Sequence, residues 1–272
     1  MTKPTIGFIG LGDIGEPMAG RLLSQDFHVV SSANRSREAI EKLASDGLIE
    51  VANPAEVGAR ADILMTMVMD QAQTDQVLRG PTGALATLKP GSVIIVMSTV
   101  SPDYCQALAA EAAGRGIDFL DCPVTGMRPR AFEGTLALMP GGDSAVLERC
   151  REALEAMGSI FHCGDIGMGM VAKLAVNGVG MGTAGLLIEA RAMARAHGMD
   201  LDLLMEIMTQ STANSFVVQN WEALRPVLPH VMSVGVKDVG LCAAAAESKN
   251  TGSTMFRAWQ SVDWASLKPE DT

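Results

Sequence analysis

The chain has 272 residues, and 21 Lys and Arg against 31 Asp and Glu give a formal net charge of −10. That acidic balance, without a basic cluster, excludes general binding to nucleic acid, which needs concentrated Lys and Arg at the phosphates. A hydrophobic share of 48 % excludes a disordered or low-complexity chain, and with no run of eighteen apolar residues no membrane span is expected.

Strand-like and helix-like stretches alternate over the first 165 residues. Strands are predicted at Thr5–Ile9, His28–Ser32, Asp62–Val68, Ser92–Met97, Gly116–Asp121, Thr135–Met139 and Ser159–Cys163. Between them, helical spacing marks Glu16–Ser24, Arg37–Ser45, Pro102–Arg115 and Ser144–Met157. Runs that are apolar almost throughout suit buried parallel strands, so the prediction is an α/β fold with a doubly wound parallel sheet. After Gly167 the pattern becomes helical: a long stretch over Met170–His197, then Leu201–Gln210, Ser215–Leu224, Lys237–Ser248 and Met255–Trp264. Pro226 and Pro229 read as turns between two of these helices. Residues 1–165 are therefore expected to form a nucleotide-binding domain, and 166–272 an all-helical domain opened by a long helix. The polar tail Lys268–Thr272 is expected to fray.

Five scattered cysteines without a CxxC pair read as reduced thiols of a cytoplasmic protein. Met1–Thr5 leads straight into a strand-like run, so no secretory signal is expected. His28, His162, His197 and His230 show no ligand spacing, so no metal site is expected.

The first strand ends in Gly10-Leu11-Gly12-Asp13-Ile14-Gly15, a GxGxxG pattern between a strand and a helix. Glycines at these positions permit a tight turn, let backbone N–H groups approach a pyrophosphate, and let the helix pack close to the strand. The helix N-terminus then faces the anion with unpaired N–H groups. A glycine-rich turn alone is a weak signal, but strand, loop, helix and next strand follow in the required order. After the second strand the chain reads Asn34-Arg35-Ser36-Arg37, with no acid before Glu38. An acid there would accept the adenosine ribose hydroxyls and repel a 2′-phosphate, which Arg35 and Ser36, with Arg37 as a further candidate, could hold instead. NADP is therefore the expected cofactor ahead of NAD; a solvated basic turn is the other reading of these residues.

Five segments in order resemble the β-hydroxyacid dehydrogenases, the family of 3-hydroxyisobutyrate dehydrogenase and tartronate semialdehyde reductase. They are Gly7–Ala19, Ser98–Pro102, Asp121–Gly126 with Gly134–Leu136, Gly167–Asn177, and Lys237–Leu241. The resemblance implies a Rossmann domain joined through a long helix to a helical domain, with the active site in the cleft. It implies cofactor contacts at Met67 and Val68 after the third predicted strand, at Ser98 and Thr99 after the fourth, and at Lys237 and Asp238. It assigns the substrate loop to Thr125 and Gly126, the catalytic lysine to Lys173 and its amide partner to Asn177, with Lys237 closing over the nicotinamide side. A small anionic substrate and a homodimer or homotetramer are also implied.

Residue chemistry supports the same helix. Lys173 and Asn177 are four apart and share one helical face. A lysine among Met170, Val171, Leu174 and Val176 either snorkels to solvent or is half desolvated, which lowers its pKa and suits it to proton transfer. Gly178, Gly182 and Gly185 also share a face, for close packing within the helical domain or for a subunit contact.

The chain departs from the family at three places. The substrate loop reads Thr125-Gly126-Met127 where the family usually has Ser-Gly-Gly, and Arg128 and Arg130 follow. Those arginines are either a surface pair or readers of an extra anionic group, and Met127 adds bulk beside the substrate. Met69-Asp70-Gln71 lacks the usual proline, and the final stretch Gly252–Asp263 is short. The expected activity is hydride transfer between nicotinamide and a small β-hydroxy acid or its semialdehyde. The rival readings are an imine reductase, against which Lys173 speaks, and a non-catalytic dinucleotide-binding protein; a decarboxylating sugar-acid dehydrogenase would need a larger helical domain.

Overall fold

The computed structural model describes residues 3–264; the tail Lys268–Thr272 lies outside them. The chain divides into two compact units, Met1–Lys173 and a second from Leu174 onward. The expected boundary was at 165/166, whereas the division falls inside a helix, directly after Lys173.

The first unit is built on a six-stranded parallel sheet of β1 (Ile6–Ile9), β2 (Val29–Ser32), β3 (Ile49–Val51), β4 (Ile63–Thr66), β5 (Val93–Val96) and β6 (Asp118–Asp121). The strand order is β3-β2-β1-β4-β5-β6, a doubly wound arrangement whose order reverses between β1 and β4. Alternation sorts the strand residues onto two faces. Ile6, Phe8, Ile63, Met65, Val93 and Ile95 join one buried cluster, while Ile9, Leu64, Ile94 and Val96 join the other. The register sets Ile9 beside Thr66, Thr66 beside Val96, and Val96 beside Asp121. The carboxyl ends of four strands therefore lie side by side, where this fold class binds ligands.

The connecting helices are α1 (Gly15–Ser24), α2 (Glu38–Ala44), α3 (Pro54–Arg60), α4 (Gln71–Arg79) and α5 (Pro102–Ala113). Local chemistry starts several of them. Asn53, Asp70 and Ser101 accept hydrogen bonds from the N–H groups of Glu56, Gln73 and Tyr104, and Pro54 and Pro102 occupy first-turn positions that need no donor. Three of these elements, β3, α3 and α4, have no counterpart among the predicted ones, so the run at Asp62–Val68 is the fourth strand in chain order and Ser92–Met97 the fifth. β3 is short, and its Ile49 and Glu50 are exposed, so it offers no apolar run.

The last two predicted strands do not extend this sheet. They form a second, three-stranded sheet, in which β8 (Leu136–Leu138) pairs antiparallel with β7 (Val124–Thr125) and parallel with β9 (Gly158–Ile160). The unpredicted helix α6 (Met127–Glu133) links β7 to β8, and α7 (Ser144–Glu155), capped by Asp143, links β8 to β9.

α8 (Met168–Ala196) has 29 residues and runs through the division between the units. By length and mean hydropathy, 1.5 over its most apolar stretch, it is the one helix among the described residues long and apolar enough to cross a membrane, where the sequence alone leads to no such expectation. Its Ala184, Leu187 and Ile188 are instead buried in the core of the second unit with Val218, Trp221, Met232, Val239, Trp259 and Trp264. The other helices there are α9 (Leu201–Thr209), α10 (Phe216–Gln219), α11 (Trp221–Leu224), α12 (Leu228–Ser248) and α13 (Thr254–Gln260). α12 begins well before the predicted Lys237. Pro229 sits in its first turn, where a missing N–H costs nothing, so it starts the helix instead of preceding it.

Gly178 and Gly185 serve packing inside this unit. A Cβ on Gly178 would lie 2.7 Å from the Phe256 ring, and one on Gly185 would lie 2.8 Å from the Trp259 indole nitrogen. Gly182 faces open space, with no atom within 4 Å of its Cβ position.

Candidate active site

The glycine loop leaves β1 and enters α1 as expected. Gly10 has φ +104° and a Cβ there would meet the Met67 carbonyl oxygen at 2.2 Å, while a Cβ on Gly15 would meet the Gly10 carbonyl at 1.9 Å. Gly12 behaves differently: no atom lies within 4 Å of its Cβ position. Two glycines thus close the turn, and the third leaves a bare backbone cradle, as a pyrophosphate requires. A dinucleotide fits the residues present, with the backbone around Leu11, Asp13 and Ile14 as its phosphate cradle.

Met67 and Val68 follow β4 and stand against this loop. The Val68 N–H donates to the buried Ser98 hydroxyl at 2.8 Å, joining the strand ends of β4 and β5. Gly10, Met67, Val68 and Ser98 are thus brought together, with Thr99 next in the chain.

Beyond β2 the basic turn separates into distinct roles. Arg37 is engaged bidentately by Glu50, at 2.7 and 2.8 Å, and the Ser36 hydroxyl accepts the Glu38 N–H at 3.2 Å. Arg35 and Asn34 are exposed, and Arg35 has no ion-pair partner among the described residues.

The segment after β6 holds Thr125, Gly126 and Met127, to which the resemblance assigns the substrate loop. Thr125 ends β7, Gly126 follows with φ +138°, and Met127 opens α6 with φ +63°, a conformation glycine would adopt freely. Arg128 is not available to substrate in this arrangement. Its guanidinium donates to the Asp13 carbonyl at 2.6 Å and to the Glu16 carboxylate at 2.7 Å. Arg130 is exposed, packs its stem against Gly126, and has no ion-pair partner among the described residues.

Sequence reasoning missed Glu16 and Asp121. The Glu16 carboxylate is nearly buried and takes Lys42 on its second oxygen. Burial pushes its pKa up, but the hydrogen bonds from Lys42 and Arg128 outweigh that and hold it below the usual carboxylate value. Asp121, at the end of β6, is fully buried and accepts the N–H groups of Gly167 at 2.6 Å and Met170 at 2.8 Å. It thereby caps α8 from a distance. Burial raises its pKa to about 6 despite those amides. Cys122 beside it is fully buried and its thiol pKa is pushed well above the ordinary value, as fits a core residue and not a nucleophile.

On α8, Lys173 stands one turn before Asn177, and both side chains are half-buried. In the second unit the Asn177 amide donates to the Asp238 carboxylate on α12 at 2.6 Å. The Lys237 ammonium lies 2.9 Å from the other oxygen of Asp238. Among the described residues no group of His, Cys, Asp and Glu could hold a metal ion.

Glycine cradle, strand order and switch point together define a dinucleotide-dependent α/β protein. The NAD binding domain of 6-phosphogluconate dehydrogenase matches residues 5–182. The L-threonate dehydrogenase of Cupriavidus necator is 32 % identical over 251 residues, 87 % of this chain and 81 % of that protein. The NAD-dependent L-serine dehydrogenase of Pseudomonas aeruginosa is 32 % identical over 266 residues, 92 % of this chain and 88 % of that protein. A solved Mycobacterium tuberculosis 3-hydroxyisobutyrate dehydrogenase with L-serine superposes with TM-score 0.84 at 28 % identity, covering 98 % of this chain and 97 % of that one. The protein is thus a pyridine-nucleotide-dependent oxidoreductase acting on hydroxyl groups. It belongs to the β-hydroxyacid dehydrogenase family.

Proposed function

We propose that the protein interconverts a small β-hydroxy acid and its semialdehyde with NADP in preference to NAD, using Lys173 as general acid and base. The observation that carries this reading is the pairing of Lys173 with Asn177 on one face of α8, with Asn177 held by Asp238. The nicotinamide, when bound, supplies or accepts the hydride. The Lys173 ammonium gives a proton to the developing alkoxide in reduction, and its neutral amine takes the hydroxyl proton in oxidation. Asn177 hydrogen-bonds the substrate oxygen, and its bond to Asp238 fixes the direction of its amide. The Thr125 hydroxyl and the backbone at Gly126 hold the carboxylate, Met127 narrows that end, and Lys237 closes the nicotinamide side. Arg130, which has no ion-pair partner among the described residues, replaces Arg128 as the cation offered beside the substrate loop.

Arg35 and the lack of an acid before Glu38 support NADP, because a 2′-phosphate would find an exposed cation while the neighbouring Glu50 carboxylate is paired with Arg37. Intact Lys173, Asn177 and Thr125 favour catalysis over a purely binding role, since a scaffold needs none of them. Exposed Val179, Leu186 and Met193 along α8 support the expectation of a homodimer or homotetramer, and the reduced thiols suit a cytoplasmic protein.

The test follows nucleotide absorbance with short semialdehydes carrying a carboxylate, with NADPH and NADH compared and Lys173→Ala alongside. Turnover that prefers NADPH and is lost in the variant is expected. NADPH binding without turnover on any aldehyde would overturn the reading in favour of an imine substrate or a binding role.

A further inference from the structure

We propose that Arg128 is a positioning residue that couples the cofactor loop to the substrate loop, so that dinucleotide binding orders the segment carrying Thr125 and Gly126. The inference rests on the proposed roles of those two residues and adds a device that links them to the nucleotide.

Three observations carry it. The first is the target of the guanidinium. Arg128 donates to the Asp13 carbonyl at 2.6 Å, inside the turn between Gly12 and Gly15. A trans peptide is planar, and no cis bond occurs among the described residues. Anchoring the Asp13 carbonyl on one side therefore fixes the Ile14 N–H on the opposite side, the direction in which a phosphate cradle uses it.

The second is how the guanidinium is held. Its other nitrogen donates to Glu16 on α1 at 2.7 Å, and Glu16 also takes Lys42 from α2. The Lys42 ammonium lies 5.4 Å from the centre of the Phe132 ring on α6. α1, α2 and α6 are thus tied through one nearly buried carboxylate, which a pair of charge-assisted bonds makes a firm anchor.

The third is the nature of the tied segment. α6 has only seven residues, bounded by left-handed backbone at Gly126, Met127 and Gly134. So short a helix has little stability of its own. It depends on α1, where Arg21 closes over Gly134 so tightly that a Cβ there would meet its Nε at 2.6 Å. When the nucleotide rigidifies the glycine loop, Arg128 transmits that order to residues 125–127.

The test measures amide hydrogen exchange of peptides spanning 7–18 and 124–134, with and without NADPH, in wild type, Arg128→Ala and Arg128→Lys. In wild type NADPH should slow exchange in both peptides. In Arg128→Ala only 7–18 should respond, with NADPH affinity about tenfold weaker, and Arg128→Lys should restore part of the response in 124–134. A merely structural arginine would raise basal exchange in 124–134 without changing its response to NADPH, and that result overturns the coupling. So does a wild-type 124–134 peptide that ignores NADPH while 7–18 responds. No protection at 7–18 in wild type would overturn the cofactor reading and the coupling together. If Arg128→Ala fails to fold, Glu16→Gln, which keeps a weaker acceptor, is expected to blunt the same response; an unaltered response overturns the coupling.

Discussion

Asn177 donates its amide to Asp238 across α8 and α12 at 2.6 Å, so the orientation of the amide beside Lys173 on α8 is set by a carboxylate on another helix. Removing the carboxylate leaves Asn177 free to rotate without touching any reacting atom. Asp238→Ala should therefore lower kcat about tenfold or more and, because it also removes the ion pair to Lys237, weaken NADPH binding only about twofold to threefold, whereas Lys173→Ala should lose about a hundredfold or more in kcat, as removal of a general acid does. Steady-state kinetics with a direct NADPH titration checks both. Equal losses in kcat and in NADPH affinity for Asp238→Ala would make Asp238 a cofactor contact instead.

Arg35 is expected to set cofactor choice. Arg35→Ala should raise KM for NADPH about tenfold, the loss of one charge-assisted contact, and change KM for NADH little. Arg37→Ala should be much milder toward NADPH, because its guanidinium is already spent on Glu50. Initial rates at varied nucleotide concentration distinguish the two arginines. A variant that loses both nucleotides equally would return Arg35 to the status of a surface charge.

Patterns that are local in sequence were legible, and those that depend on distant partners were not. Gly10, Gly12 and Gly15 announce a cradle because turn, approach and packing each demand glycine at a fixed spacing. Lys173 and Asn177 announce a shared face for the same reason. Asp121 was read only as part of a motif, because the amides it caps, at Gly167 and Met170, lie 46 and 49 residues on. Arg128 looked like a free loop cation, because its acceptors on Asp13 and Glu16 are 115 and 112 residues back. β3 escaped notice because a short edge strand with exposed Ile49 and Glu50 carries no buried alternation.

Asp121 makes stability depend on pH in an unusual direction for a carboxylate. Burial raises its folded pKa to about 6, above the ordinary value of 3.8, so the folded chain holds this proton more tightly than the unfolded one. The stabilisation from that proton is complete below 3.8 and is lost as the pH rises through about 6. Asp121→Asn cannot titrate, and its amide nitrogen would face a backbone N–H, leaving a buried donor without an acceptor at about 1–3 kcal/mol. The Tm gap between wild type and Asp121→Asn should therefore widen between pH 7.5 and pH 5.5, about the span of one such titration. Thermal melts at the two values read the gap directly. A gap that narrows with falling pH would mean that the Gly167 and Met170 amides, not burial, govern this carboxylate.

Met127 bears a local strain that a single substitution should release. Its φ of +63° lies in the left-handed region, which costs a residue with a Cβ about 1 kcal/mol, and the residue is 40 % exposed. Glycine removes the clash but adds freedom to the unfolded chain, so Met127→Gly should leave Tm unchanged or slightly higher. Met127→Val, with branching at Cβ, should lower Tm by about 2–4 °C, the shift expected for about 1 kcal/mol in a chain of this size. The same pair of variants separates strain from specificity. Glycine opens the space beside Thr125 and should lower KM for bulkier carboxylate aldehydes, while valine should not. If glycine destabilises more than valine, the Met127 side chain is held by packing that outweighs its backbone strain, and the substrate loop depends on that methionine for its shape.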